Sequence, residues 1–286
     1  MKFLISNYSS NESTEPLYFN TALNLVDCKS TLWPENISTY DVFDMVKPDI
    51  HITHHKKLTM DLLMYMKENK GIDLVVNITG LKQNELLHLE QVTKEYGVTP
   101  LMFFNNQHDH GLQSNKTNIT NISHGSDIFL GMSDKQFDID YGIFVNDQEQ
   151  IYPTGETYHY IATKLEIENA ADFYVPINSL SNGYINYKHI VIRYFDNIIP
   201  QLFFDAAFYN GSVFFDVKDR TVLNTYLKHV LGDSNYCDIN NLDSGNIRDK
   251  IVKKHTCLHK TKSLLSQLPC KEYTDKLQNI IESNLK

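Results

Sequence analysis

No C-x-x-C pair occurs among the four cysteines of this 286-residue chain, Cys28, Cys237, Cys257 and Cys270, and no zinc-like spacing links them. In a chain of this size they are expected to be reduced, mostly buried thiols of a cytoplasmic protein. No apolar run approaches the ~18–20 residues that span a bilayer, so no membrane span is expected. The opening "MKFLISNYSSNES" turns polar too soon for a signal-peptide core and reads as a first strand. There is no G-x-x-x-x-G-K-[ST] and no G-x-G-x-x-G after the first strand, which disfavours a P-loop enzyme or a dehydrogenase. A G-x-S-x-G elbow is missing too, which weakens a hydrolase. No clear D-x-D motif offers a divalent metal to a diphosphate, which favours metal-independent chemistry.

Aromatic side chains are plentiful: 17 Tyr and 15 Phe beside a single Trp, enough for large cores or ring-lined pockets. The net charge of −9 is unevenly spread. From Arg248 onward nine basic residues face four acidic ones; residues 1–247 hold the other 17 basic and 31 acidic residues. A body with that acidic excess is a poor match for a polyanion, so nucleic acid is not favoured as a partner. The N-x-S/T triplets at Asn77, Asn115, Asn118 and Asn121 carry no glycosylation message in an Asn-rich chain of this type.

Apolar runs and amphipathic segments alternate from the start. "KFLIS" (2–6), "KSTLW" (29–33), "DIHIT" (49–53), "DLVVNI" (73–78) and "TPLMFF" (99–104) read as strands. Between them "EPLYFNTALNLV" (15–26), "STYDVFDMV" (38–46), "TMDLLMYMKENKG" (59–71) and "KQNELLHLEQVTKEYG" (82–97) read as helices, the last two stopped by Gly71 and Gly97. This rhythm, with strands apolar on both faces, predicts an α/β fold with parallel sheets. A polar segment (105–125) interrupts it. Strands are expected again at 127–131, 142–146, 172–177, 188–195 and 212–217, with helices at 197–211 and 220–232 and mostly helix after Asn240. Turn residues in "DQEQIYPTGET" place a division at 147/148. The expectation is two Rossmann-like parallel-sheet domains, 1–147 and 148–286, with a helical C-terminal tail.

Ligands of such sheets bind beyond the strands' carboxyl ends, and three stretches stand there. In "NIIPQLFFDAAFYNG" (197–211), Asp196 or Asn197 can cap a helix whose first turn tolerates Pro200, and such a helix start suits a phosphate. Asp205 shares a helical face with Gln201 and Ile198, where it can accept from two ribose hydroxyls. The competing reading is an ordinary helix whose one acid faces solvent or pairs with a lysine. "FFNNQHDHG" (103–111) concentrates His108, Asp109 and His110 in a glycine-ended loop. A carboxylate orienting an imidazole is a proton acceptor; His-x-His also offers two metal ligands, and a plain polar loop explains the same residues. In "HITHHKK" (51–57), His51 lies within the strand, while His54 and His55 begin a loop suited either to helix entry or to substrate contact.

The order strand, acidic loop, carboxylate-bearing helix, glycine stop and short strand resembles the donor-binding region of GT-B glycosyltransferases, nearest the minimal forms typified by phage DNA glucosyltransferases and CgeB-like spore proteins. "FFDAAFYNG" aligns with the family's Glu-Ala segment, with Asp205 in the Glu position. The basic residue expected just before it is replaced by Gln201-Leu202; the nearest upstream base is Arg193, and an earlier acidic position falls on Asn197 or Asp196. The resemblance implies a GT-B-like glycosyltransferase with a nucleotide-sugar co-substrate, a UDP-sugar first, and a last helix crossing back to the first domain. Arg193, Asp196, Asn197, Gln201 and Asp205 would hold the donor. Asp109, with His108 or His110, would be the base, and His54 and His55 would lie on the acceptor side. No metal and no bound cofactor are implied. The alternatives are a non-catalytic nucleotide-, sugar- or protein-binding protein on the same scaffold and, more weakly, a DNA-modifying glucosyltransferase.

Overall fold

A computed structural model describes residues 1–7, 15–34, 36–105, 119–122, 125–126, 128, 139–145, 174–176, 187–193, 201–209, 213–216 and 244–285. They divide into two compact units: Met1–His124 with Cys257–Lys286, and Gly125–Thr256.

In the first unit, strands β1 (Lys2–Ile5), β2 (Lys29–Leu32), β3 (Ile50–His54), β4 (Asp73–Asn77), β5 (Leu101–Asn105) and β6 (Ile119–Ile122) form a parallel sheet in the order β2-β1-β3-β4-β5-β6. Helices α1 (Glu15–Leu25), α2 (Thr39–Val46), α3 (Met60–Glu68) and α4 (Gln83–Glu95) lie between the first five strands. Ser38 and Thr59 cap α2 and α3, accepting from the amides of Asp41 and Leu62. Gly97, at φ +69°, makes the left-handed turn that ends α4.

Alternation along the strands divides the core in two. Leu4, Leu74, Val76 and Met102 meet Phe43, Leu62, Leu63 and Leu86 of α2–α4. On the other face Phe103 meets Phe19 of α1 edge-on, with ring centroids 6.5 Å apart. Because right-handed crossovers put α2, α3 and α4 on the same face, the opposite face needs another cover beside α1. The chain supplies α7 (Cys257–Leu265), which packs on α1 and β6, with α8 (Lys271–Asn284) behind it.

In the second unit, β7 (Ile139–Val145), β8 (Tyr174–Pro176), β9 (Tyr187–Arg193) and β10 (Val213–Asp216) form another parallel sheet, ordered β10-β9-β7-β8. Helix α5 (Gln201–Tyr209) precedes β10, and α6 (Ser244–Lys254) packs on α5.

One expectation changes. The segment 105–125 is not purely polar loop: "ITNI" forms β6, pairing with Met102–Asn105. The helix expected at 197–211 is present over Gln201–Tyr209, and residues 197–200 and 210–211 lie outside the described residues. The strand expected at 127–131 and the helix at 220–232 lie almost wholly outside the described residues.

Candidate functional site

A sheet whose chain starts in the middle and builds first to one side, then to the other, opens a crevice beyond the carboxyl ends of the two strands where it reverses. Both units have such a point. In the first it lies between β1 and β3, and in the second between β7 and β9.

At the β1/β3 point the chain leaves β3 through His54 into the one-turn 3-10 helix His55–Lys57. The two imidazoles lie together, with ring centroids 4.2 Å apart and planes at 35°. His54 Nδ1 accepts from the amide of Lys56 at 3.2 Å, and His55 Nδ1 reaches the carbonyl of Asn77 at 3.4 Å. Loss of hydration lowers the pKa of His54 to about 4, helped by His55 and Lys56 and opposed by Glu15. His55 is lowered for the same leading reason, against its bond to Asn77. His51 is a core residue, as its place in the strand suggests: fully buried between Leu4 and Ser6, with its pKa depressed to about 4 by burial.

Next to His54 in register is Asn77, the last residue of β4, and Asn105 ends β5. Both donate their side-chain amides to Glu15, the first residue of α1: Asn77 to Oε1 at 2.8 Å and Asn105 to Oε2 at 3.0 Å. The same Oε2 takes the Lys260 ammonium of α7 in a buried ion pair and, at 3.4 Å, the Tyr18 hydroxyl. The Lys260 ammonium also stands 5.7 Å from the ring centroids of both Tyr18 and Phe19. All four of Glu15, Asn77, Asn105 and Lys260 are at most 3% exposed. Thr79 completes the lattice, donating to Asn77 Oδ1 at 2.6 Å while accepting the Asn105 amide at 2.9 Å. Asn105 Oδ1 alone in this cluster is buried without a hydrogen-bond partner.

This cluster is what residue-type reasoning passed over. Its members are scattered from residue 15 to residue 260. The available signal was an Asn in the same phase at the end of two apolar strands, "LVVN" and "MFFN".

In the second unit Arg193 ends β9 and stands in register with Val145, the last residue of β7, and with Asp216 of β10. Arg193 is therefore placed at the carboxyl edge of the switch point. Asp205 lies in the following helix at 2% exposure, among the buried Phe203, Phe204 and Ala207. The reading of Asp205 as a solvent-facing acid is thus corrected: α5 buries the position together with its apolar neighbours. Gln201 opens α5 as its first residue. Asp196, Asn197, His108, Asp109 and His110 lie outside the described residues. The sequence does hold one Asp-x-Asp triplet, Asp138-Ile139-Asp140, of which the described Ile139 and Asp140 open β7 at the edge opposite Arg193. Among the described residues no cluster of three His, Cys, Asp or Glu is placed to hold a metal. Nor, among them, is any helix long and apolar enough to cross a membrane.

No family model matches the chain, and no curated protein does either. Among solved structures the chain is similar to the DNA-modifying enzyme beta-glucosyltransferase, described with and without its substrate uridine diphosphoglucose. That match has 12% identity and a TM-score of 0.43, and covers 100% of this chain and 96% of the other. It is also similar to CalG4, the calicheamicin glycosyltransferase, at 8% identity and a TM-score of 0.36, over 99% of this chain and 98% of that one.

Proposed function

We propose that this chain is a glycosyltransferase that moves a sugar from a nucleotide-sugar donor, a UDP-sugar in the first instance, to a hydroxyl group without a divalent metal. The observation that carries the reading is the switch point of the second sheet, with Arg193 at the end of β9 beside Val145 and a helix bearing the buried Asp205 directly after it. Arg193 and the start of α5 (Asp196, Asn197, Gln201) would hold the diphosphate, where negative charge grows as the nucleotide departs. Asp205, withdrawn from water, would accept hydrogen bonds from the ribose. The second unit, Gly125–Thr256, would thus serve the donor and the first, Met1–His124 with Cys257–Lys286, the acceptor, whose proton Asp109 with His108 or His110 would take, and the setting would be the cytoplasm.

A second reading keeps a nucleotide or sugar site without turnover; Gln201-Leu202, standing where the family it resembles has a basic residue, favours it. DNA as acceptor sits poorly with 31 acidic residues against 17 basic ones in residues 1–247. The test is release of free nucleotide from the donor in the presence of EDTA, with Asp205→Asn expected to weaken donor binding.

A further inference from the structure

We propose that the open edge of the first sheet is a dimer interface, at which β2 pairs antiparallel with β2 of a second copy of this chain about a two-fold axis at Thr31. β2 stands at one end of the strand order, and among the described residues no strand pairs with its outer side. Trp33 donates its amide to the Ile5 carbonyl at 2.7 Å, in the register that sets Ile5 beside Leu32. Backbone groups alternate in direction along a strand, so Thr31 turns inward with Trp33, while Ser30 and Leu32 present N–H and C=O outward. Edges are ordinarily guarded by a charge, a proline or a bulge. Ser30-Thr31-Leu32 has none of these: its register with β1 is unbroken, and Lys29 and Pro34 stand outside it. All three residues are only partly buried.

A two-fold interface needs a surface that complements itself. With Thr31 facing Thr31, Ser30 of each copy stands opposite Leu32 of the other. Those two pairs are of the hydrogen-bonded kind and exchange four N–H···O bonds between groups that β1 leaves unused. Thr31 meets its copy in the non-bonded kind of pair, with Cβ atoms about 4.5–5.5 Å apart. The one charge in β2, Lys29, then falls opposite Trp33 of the second copy, not opposite another lysine, and an ammonium suits an indole face. Trp33 packs on Phe43 of α2 with ring centroids 5.7 Å apart. Lys29 thus approaches a helix whose exposed acids are Asp41 and Asp44. On the other face of the sheet, the Ser30 hydroxyl donates to the carbonyl and side-chain oxygens of Asn20 at 3.0 and 2.8 Å, which fixes the side of α1 that overlooks the edge. Leu17, one turn before Asn20 on that side, is 48% exposed, and residues 16–26 carry no charge. The two-fold sets this uncharged side against its copy, so no like charges meet there. Charge that matches its own reverse selects a second copy over an unrelated strand.

Sedimentation velocity of the full chain tests the pairing, with the wild type expected at twice the 33.1 kDa of one chain. Thr31→Lys puts two ammonium groups on the axis and Thr31→Glu two carboxylates. Each is expected to raise the dimer dissociation constant about fivefold or more. Mixed one to one, the two variants should recover a dimer at least as tight as the wild type, because the axis then carries opposite charges. Leu32→Pro removes an N–H that β1 does not use, a replacement edge strands tolerate, and should abolish the dimer while circular dichroism remains that of the folded chain. A monomeric wild type overturns the proposal. So does a dimer whose constant the Thr31 charges leave unchanged, a pair of folded Thr31 variants that do not recover on mixing, or a Leu32→Pro chain that dimerises like the wild type.

Discussion

Replacing Lys260 with Met removes the cation from a carboxylate that cannot reach water. Glu15 is 1% exposed and Lys260 2%, and the pair joins α1 to α7 across 245 residues of sequence. Met keeps the bulk and the apolar contact with Tyr18 and Phe19, so lost packing is a minor part of the effect. Among the described residues, Asn77, Asn105 and a longer bond from Tyr18 still hold the buried charge. Stranding one partner of a buried ion pair costs about 3–5 kcal/mol, whereas replacing both partners together is often far milder. These surviving donors place the expected loss for Lys260→Met near the lower end, about 3 kcal/mol. The Glu15→Gln/Lys260→Met double variant should recover at least half of it. Urea unfolding at pH 7, followed by circular dichroism, reads both values from the midpoint at constant m. A loss under about 1 kcal/mol in the single variant, or a double variant as damaged as the sum of the two singles, would refute the view that uncompensated charge at Glu15 sets the cost.

His51 gives stability a pH dependence of known sign. Its folded pKa of about 4 lies below the ordinary 6.5, so the unfolded chain binds its proton first as the pH falls. Its contribution is whole above 6.5 and is lost progressively toward 4, about 2 kcal/mol being gone at pH 5 relative to pH 7. His51→Gln should flatten that part of the midpoint-versus-pH curve, and an unchanged slope would contradict the assignment. Among the thiols, Cys28, Cys257 and Cys270 are buried, and burial raises Cys28 and lifts Cys270 to about 11. A thiol reagent at pH 8 should therefore modify at most one cysteine per native chain within minutes, and all four in urea; two fast thiols in the native state would count against that packing.

The first 105 residues were legible because each element announces itself locally. "LVV" and "LMFF" are apolar on both faces, Ser38 and Thr59 stand at helix starts, and Gly97 stands at a stop. β6 was not legible: "ITNI" is four residues long, half polar, and takes its strand form from pairing with β5. Asp205 stood out because one acid in "QLFFDAAFY" breaks the pattern of an amphipathic helix, and that irregularity coincides with a buried position. The Glu15 cluster stayed hidden for the converse reason. Neither Glu15 nor Lys260 looks unusual among its neighbours, and their pairing exists only once the C-terminal helices cover the open face beside α1. The histidine pair was visible as sequence, but the backbone amide and backbone carbonyl that hold His54 and His55 are not positioned by it.

The central claim is donor chemistry, and release of free UDP or GDP from a panel of UDP-glucose, UDP-GlcNAc and GDP-sugars, in EDTA and without added acceptor, tests it most directly. Slow release from one donor, with water replacing the acceptor, undiminished by EDTA and weakened in Asp205→Asn through a higher KM, is the predicted result. Binding of a nucleotide with no release from any donor, with or without magnesium and with acceptors added, would contradict the account and leave a binding protein on the same two sheets.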